Sequence, residues 1–331
     1  MAQNKRMSVR LTLQQAKLVL LAKAIEESND SHIHWSSADS EAASLRAAHT
    51  VGESADTAKL LTERAKVVLR TVSERGISTT VSTKARLPQF FSPLFVLLAF
   101  VLGALTDHIA SPEHIVNLLS PPYWGVILWN LVVYFALFCC AIGLVGTGTN
   151  RFALPLRSSL GTFVQKASYG TLRRTGFKAH FYSEWSSFVA PLIRMNVART
   201  LHFAAVFFAL GIIVSLLVRG FGTSYWAGWE STWLAESPES VKAFIDHTYG
   251  LIPAIGPLSS MPDLAQIVDM RADRLPYLEA PITAAPWLIR MMILMGVTVI
   301  VPRLLFAMFD TWRMRRFKTQ TALSIDSPYY E

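Results

Sequence analysis

Residues 200–218 read TLHFAAVFFALGIIVSLLV and are held between Arg199 and Arg219. An α-helix rises about 1.5 Å per residue and pairs its backbone groups internally, so a run of this length crosses a hydrocarbon core of about 30 Å. Working outward, Leu87–Thr106 lies between Arg86 and Asp107, and Ile115–Asn150 between His114 and Arg151. A fourth run, centred on Met291–Pro302, is flanked by Arg290 and Arg303. The second run exceeds one crossing, and its Pro121-Pro122 pair places the start of the span at Tyr123. Trp287 and Trp312 suit the two interfacial belts, which gives Pro286–Asp310 as the fourth helix.

Loop charge sets the orientation. Arg151–Arg199 carries eight Lys/Arg against the single acid Glu184, and Arg313, Arg315, Arg316 and Lys318 follow the fourth run. Segments rich in Lys and Arg stay in the cytoplasm, so both termini read as cytoplasmic. Gly220–Trp287 holds eight acids against Lys242, Arg271 and Arg274, and reads as the longest non-cytoplasmic loop. The net charge of +8 is concentrated beside the spans, where orientation and anionic headgroups account for it, and this weighs against nucleic acid. The only cysteines, Cys139 and Cys140, are adjacent in a span and form no disulfide framework. No apolar run precedes residue 87, so the first span is expected to act as an uncleaved anchor.

The predicted fold class is all-α: a polytopic four-helix transmembrane protein with an amino-terminal cytoplasmic helical region and a small helical extracytoplasmic cap. Residues 1–86 are the cytoplasmic helical region, 87–106 the first span, 107–122 a short outer loop and 123–147 the second span. Residues 148–199 form a basic cytoplasmic loop, 200–219 the third span, 220–285 the acidic cap, 286–310 the fourth span and 311–331 a basic tail. Within 1–86 the spacing predicts three short helices, over Leu11–Glu27, Ser37–His49 and Asp56–Arg75. The last has a seam of Ala58, Leu61, Ala65, Val68 and Val72, and a stop at Gly76. In the cap, Ser237-Pro238-Glu239 starts a helix running to Gly250, and Ser260-Met261-Pro262-Asp263 starts another through Met270 or Arg271; Leu251–Leu258 between them is expected to skim the membrane interface.

Chemistry-bearing motifs are sparse. There is no G-x-x-x-x-G-K-[ST], H-E-x-x-H or G-x-S-x-G, and Gly143-x-x-Gly146-x-Gly148 reads as a helix terminus, so no cofactor is implied. Asp107, His108, Glu113 and His114 have metal-ligand chemistry, but a polar turn between two spans explains them equally, and His32-x-His34 is a weaker pair. His202 reads as a helix-contact residue, because no carboxylate lies deep in a span to partner it. Trp229-Glu230-Ser231-Thr232 reads as an interfacial motif, in which Glu230 requires an ion pair with Arg219 or Arg290, or serves as an acid–base group. In the fourth helix Gly296, Pro302 and Arg303 combine helix-weakening positions with charge, a candidate lever together with Arg290.

The Arg219–Thr232 stretch and Trp287 through Pro302-Arg303-Leu304-Leu305 resemble a bacterial membrane-protein family of unknown function, number 2868 in that series, mainly over the second half of the chain. The resemblance implies a polytopic inner-membrane protein, often encoded near a predicted GTPase, and carries no catalytic residues. The leading functional expectation is a non-enzymatic inner-membrane adaptor or sensor that couples the outer cap to a cytoplasmic partner, a GTPase being the one the resemblance suggests. The alternatives are an outer-leaflet lipid or envelope-precursor enzyme using Glu230 with His247 or the Asp107 cluster, and an oligomeric channel or transporter. Expected partners are membrane lipid, with anionic headgroups at the basic loop, and a second copy of the chain.

Overall fold

The computed structural model describes residues 7–28, 33–52, 56–83, 91–106, 114–142, 176–253, 258 and 260–330. In chain order the elements begin with strand β1 (Ser8–Leu11) and helices α1 (Leu13–Glu26), α2 (Ser37–Val51), α3 (Thr57–Glu74) and α4 (Phe91–Leu105). Strand β2 (Ile115–Asn117), α5 (Pro121–Ala141), α6 (Gly176–Phe188), α7 (Ala190–Gly222) and strand β3 (Trp226–Gly228) follow. Next come α8 (Pro238–Thr248), α9 (Leu264–Asp269) and α10 (Ala285–Met295). A π-helical turn over Gly296–Ile300 leads into α11 (Val301–Thr319), followed by strand β4 (Thr321–Ser324) and a short 3-10 turn (Pro328–Tyr330). The chain is mostly helical, and among the described residues three helices are long and apolar enough to cross a membrane: Pro121–Cys139, Ala190–Gly222 and Ala285–Thr319. α4 is apolar but shorter.

The chain divides into two compact units, the first made of Met1–Gln89, Leu156–Ala198 and Phe309–Glu331. Its three amino-terminal helices start where local chemistry allows. Thr12, Ser36 and Asp56 accept from the backbone N–H groups of Gln15, Asp39 and Ala58, donors a helix start otherwise leaves unpaired. Beyond the end of α3, Gly76 sits at φ +81, where its N–H donates to Ser73 O and Ile77 N–H to Val72 O, a left-handed stop that glycine takes without strain. Val68 and Val72 of α3 pack with Leu20 and Ile25 of α1 and with Phe181 and Trp185 of α6. β1 and β4 pair antiparallel, Ser8 with Ser324 through Leu11 with Thr321, so the two ends of the chain share one sheet. Tyr329 also belongs to this unit: its hydroxyl donates to Glu26 Oε1 (2.9 Å) and accepts from Arg64 Nη1 (2.7 Å), and burial pushes its pKa up.

The second unit is Phe90–Pro155 and Arg199–Met308. Its core gathers Tyr123 and Ile127 of α5, Ile212 and Leu216 of α7, Trp229, Ile245 of α8, Ile267 of α9, and Trp287 and Met291 of α10. α4 and α7 meet at two glycines. A Cβ at Gly103 falls 2.0 Å from Phe208 O, and one at Gly211 falls 2.2 Å from Phe100 O, so only a bare Cα permits this approach. β2 and β3 pair in parallel, Ile115 with Trp226 and Asn117 with Gly228. Gly228 is hemmed in by Leu275, Ile115 and Met270 O. Asp263 and Gln266 cap α9 reciprocally, whereas Ser237 makes no side-chain cap at α8.

Several boundaries differ from expectation. α5 begins at Pro121, not Tyr123, because proline lacks the N–H that a first turn leaves unpaired anyway. The predicted end of that span, at residue 147, and the Gly143–Gly148 motif lie outside the described residues. The segment read as a basic loop contains α6 and the first turns of α7. The fourth apolar helix runs on to Thr319 through the π turn. Part of the stretch expected to skim the interface, 254–257, also lies outside the described residues.

Candidate functional site

Within the second unit, α5, α7 and α11 bring together three buried polar side chains: Asn130 (3% exposed), His202 (7%) and Arg303 (6%). Arg303 Nε donates to Asn130 Oδ1 at 2.7 Å, and its Nη1 lies 3.2 Å from His202 Nδ1. A guanidinium has no acceptor, so Nδ1 must carry a lone pair, and His202 is neutral in this arrangement. The His202 ring stacks on Phe306 with centroids 5.4 Å apart, and the Arg303 guanidinium lies over the Tyr134 ring at 5.3 Å. Asn130 also donates from Nδ2 to Val126 O of its own helix, which fixes which way its amide points.

The adjacent π turn has a local cause. Pro302 offers no N–H to Thr298 O, its partner in a regular helix, and the turn widens so that Val301 N–H reaches Gly296 O. The Tyr134 hydroxyl supplies a donor there, 3.1 Å from Thr298 O and 3.4 Å from Val299 O. One further tyrosine on α5, Tyr123, donates to Met291 O at 2.8 Å. The irregular stretch is therefore satisfied by a neighbouring helix, as backbone inside a membrane-length bundle requires. Gly296 meets nothing within 4 Å of an added Cβ, so its own size is not what shapes the turn.

The remaining sequence candidates are placed as follows. Trp229 is a core residue, 1% exposed, with Nε1 donating to Ile267 O at 2.7 Å. It is not an interfacial anchor, and neither is Trp287, also 1% exposed. Glu230 is exposed, and its backbone N–H and C=O both meet the Asn117 side chain at 3.4 Å. It makes no ion pair with Arg219 or Arg290 among the described residues; an exposed carboxylate keeps its water and needs none. Arg219 is exposed, while Arg290 is fully buried with its guanidinium 5.6 Å from the Trp287 ring. Ser231 Oγ accepts from Leu234 N–H, and Thr232 is exposed. Asp107, His108 and Glu113 lie outside the described residues; His114 sits at φ 62 with its ring 5.9 Å from Tyr225. His247 is exposed, with Nδ1 2.7 Å from Ala243 O. His34 is described and His32 is not.

One grouping escaped the sequence reading. In the first unit Glu27, His180 and Glu184 place one ligand-type atom each within 4.8 Å of one another. A divalent ion is the chemistry such donors accept, yet Lys23 Nζ lies 2.7 Å from Glu184 Oε1 and 3.8 Å from Glu27 Oε2, so an ammonium already serves these carboxylates. The group acts as an ion-pair network joining α1 to α6. Only the His180/Glu184 spacing of four was visible in sequence.

The fold and this buried cluster define a helical protein with membrane-length apolar helices and a polar centre between them. Residues 152–331 match the family described as Protein of unknown function (DUF2868), more than half of the chain, and the chain belongs to that family. No curated protein and no solved structure matches it.

Proposed function

We propose that this chain is a four-span, non-enzymatic adaptor or sensor of the bacterial inner membrane. In this reading the segment between α7 and α10 forms an extracytoplasmic cap, and the first unit engages a cytoplasmic partner, a GTPase being the class that the family resemblance suggests. The observation that carries it is the pairing of β1 with β4. Strands at opposite ends of the chain share a sheet only if both are on one side of the membrane, which requires an even number of crossings between them. Lys23 of α1 also bonds Glu184 of α6, so an even number is required between those residues as well. α5 supplies one crossing there and the short apolar α4 supplies the other; α7 and α10–α11 then return the chain. The parallel pairing of β2 with β3 is consistent, since it joins the two segments that this count puts on the opposite side. The basic residues of Arg151–Arg199 and of the tail favour the cytoplasm for the first unit.

The Asn130–His202–Arg303 cluster beside the π turn is the proposed coupling element, a charge on a helix that enters both units. For the partner side, α2 and α3 form an open groove lined by Arg46, His49, Thr50, Val67, Arg70, Thr71 and Glu74. Crosslinking from native membranes with tagged wild type and with R46E/R70E, followed by mass spectrometry, tests the reading. Expected is a cytoplasmic nucleotide-binding protein captured by wild type and lost in the double variant at unchanged expression. Capture of no cytoplasmic protein by either overturns the adaptor. The enzyme reading has no comparable support, because no second acid, base or nucleophile among the described residues lies within hydrogen-bond reach of the Glu230 carboxylate.

A further inference from the structure

We propose that Arg303 is an oxyanion-binding residue inside the helical bundle, taking the phosphate of an anionic lipid headgroup or free inorganic phosphate. The inference rests on the membrane placement proposed above, though not on the partner. Arg303 is eighteen residues past Ala285, roughly 27 Å along the helix, and the helix continues for sixteen more, roughly 24 Å, to Thr319. From the middle of such a helix its side chain turns into the bundle and does not reach for water; it is 6% exposed. Its contacts are the Asn130 carbonyl oxygen, the neutral His202 imidazole and Tyr134, through both the ring and the hydroxyl oxygen, and no carboxylate lies within ion-pair distance of it among the described residues.

These three partners orient the guanidinium without neutralising it. A permanently charged group in a low-dielectric interior costs several kcal/mol unless an opposite charge joins it. Nε and one edge of Nη1 are engaged by Asn130 and His202, and the opposite side of the planar fork is left to meet an acceptor. Two parallel N–H groups on such a fork match the two oxygens of a phosphate, which a halide or a neutral ligand does not reproduce. Tyr134, already committed by its hydroxyl to the π-turn carbonyls, holds the guanidinium plane by its ring face. Asn130 and His202 are thus positioning residues, and Arg303 is the binding residue.

The test uses the full-length chain in non-ionic detergent, stripped of lipid and titrated by native mass spectrometry with phosphatidylglycerol, phosphatidylcholine or inorganic phosphate. Wild type is expected to prefer phosphatidylglycerol over the zwitterionic lipid by about tenfold if the source is a headgroup, or to bind inorganic phosphate and have it compete if the source is free anion. R303Q should lose either signal. Because R303Q can also damage folding, N130D provides a second arm. It keeps an oxygen at the Arg303 Nε contact, gives up the bond to Val126 O, and supplies an internal carboxylate that should displace the external anion at unchanged helicity. Wild type showing neither lipid preference nor phosphate binding overturns the proposal, as does N130D retaining wild-type binding. Partner capture is read separately with the groove variants, so failure of the anion site and failure of the adaptor reading are distinguishable.

Discussion

At the scale of single residues, Trp229 and Glu230 are neighbours with opposite consequences. Trp229 fills the core of the second unit and donates to Ile267 O, whereas the Glu230 side chain meets solvent. Replacing Trp229 with Ala should cost about 3–5 kcal/mol, the range for removing a large buried ring, read as a lowered unfolding temperature in detergent. E230Q should leave that temperature unchanged; a drop as large as that of W229A would mean the carboxylate is buried in the working molecule. Asp39 gives a pH signature. The Arg75 guanidinium, then the Ser36 backbone N–H, hold its carboxyl down at about 2, against an ordinary value of 3.8. A folded-state pKa below the unfolded one contributes stability above pH 3.8 that is lost as pH falls toward about 2. The pair is partly exposed, so its worth is below about 1 kcal/mol. Unfolding of wild type and D39N should therefore differ slightly near neutrality and converge at about pH 2.

At the scale of elements, the α4–α7 contact makes the sharpest claim. A methyl group at Gly103 or Gly211 falls within 2.2 Å of backbone oxygen on the facing helix, and backbone cannot rotate aside as a side chain can. Each Gly→Ala change should lower stability by more than about 2 kcal/mol, and the two together should cost less than their sum, since the first already parts the helices. Gly125 on α5 meets nothing within 4 Å of an added Cβ, so G125A should be stabilising by about 0.5–1 kcal/mol through helix propensity alone. Thermal unfolding of the three single variants and the double checks both. Which elements were legible follows from how local their cause is. α1, α2 and α3 announced themselves through caps and apolar spacing, and Gly76 through its place after a seam. α6 did not, because the basic charge of its neighbourhood was read before Phe177, Phe181 and Trp185, which share one face at spacings of four. Pro302 and Gly296 hinted at an irregular helix, but the tyrosine that completes the π turn is 164 residues away in sequence. Arg303 and His202 stand out as polar residues in or beside apolar runs, and Asn130 is one amide inside another; their junction is a tertiary fact that no spacing encodes.

At the scale of the whole molecule, the strand pairing of the two termini constrains topology more tightly than hydropathy does. Among the described residues, hydropathy with length counts three membrane-length helices, an odd number, and leaves α4 ambiguous. An odd count would set Ser8–Leu11 and Thr321–Ser324 on opposite sides, where their antiparallel register could not form. It would separate Lys23 from Glu184 for the same reason. The proposed four crossings would remove both conflicts and would put the β2–β3 pair, α8 and α9 together on the far side. Single cysteines at exposed positions decide this. In a chain with Cys139 and Cys140 replaced by Ala, E41C on α2 and S324C on β4 should resist a membrane-impermeant maleimide in intact cells and react after lysis, while S240C on α8 should react from outside. Labelling of E41C and S324C from opposite faces would break the terminal sheet and the four-span reading together. Labelling of all three from one face would mean that the helix pair flanking Ser240 does not cross. The glycine contact between α4 and α7 ties α4 into a bundle whose other members are long enough to span. The short helix is therefore expected to cross with them.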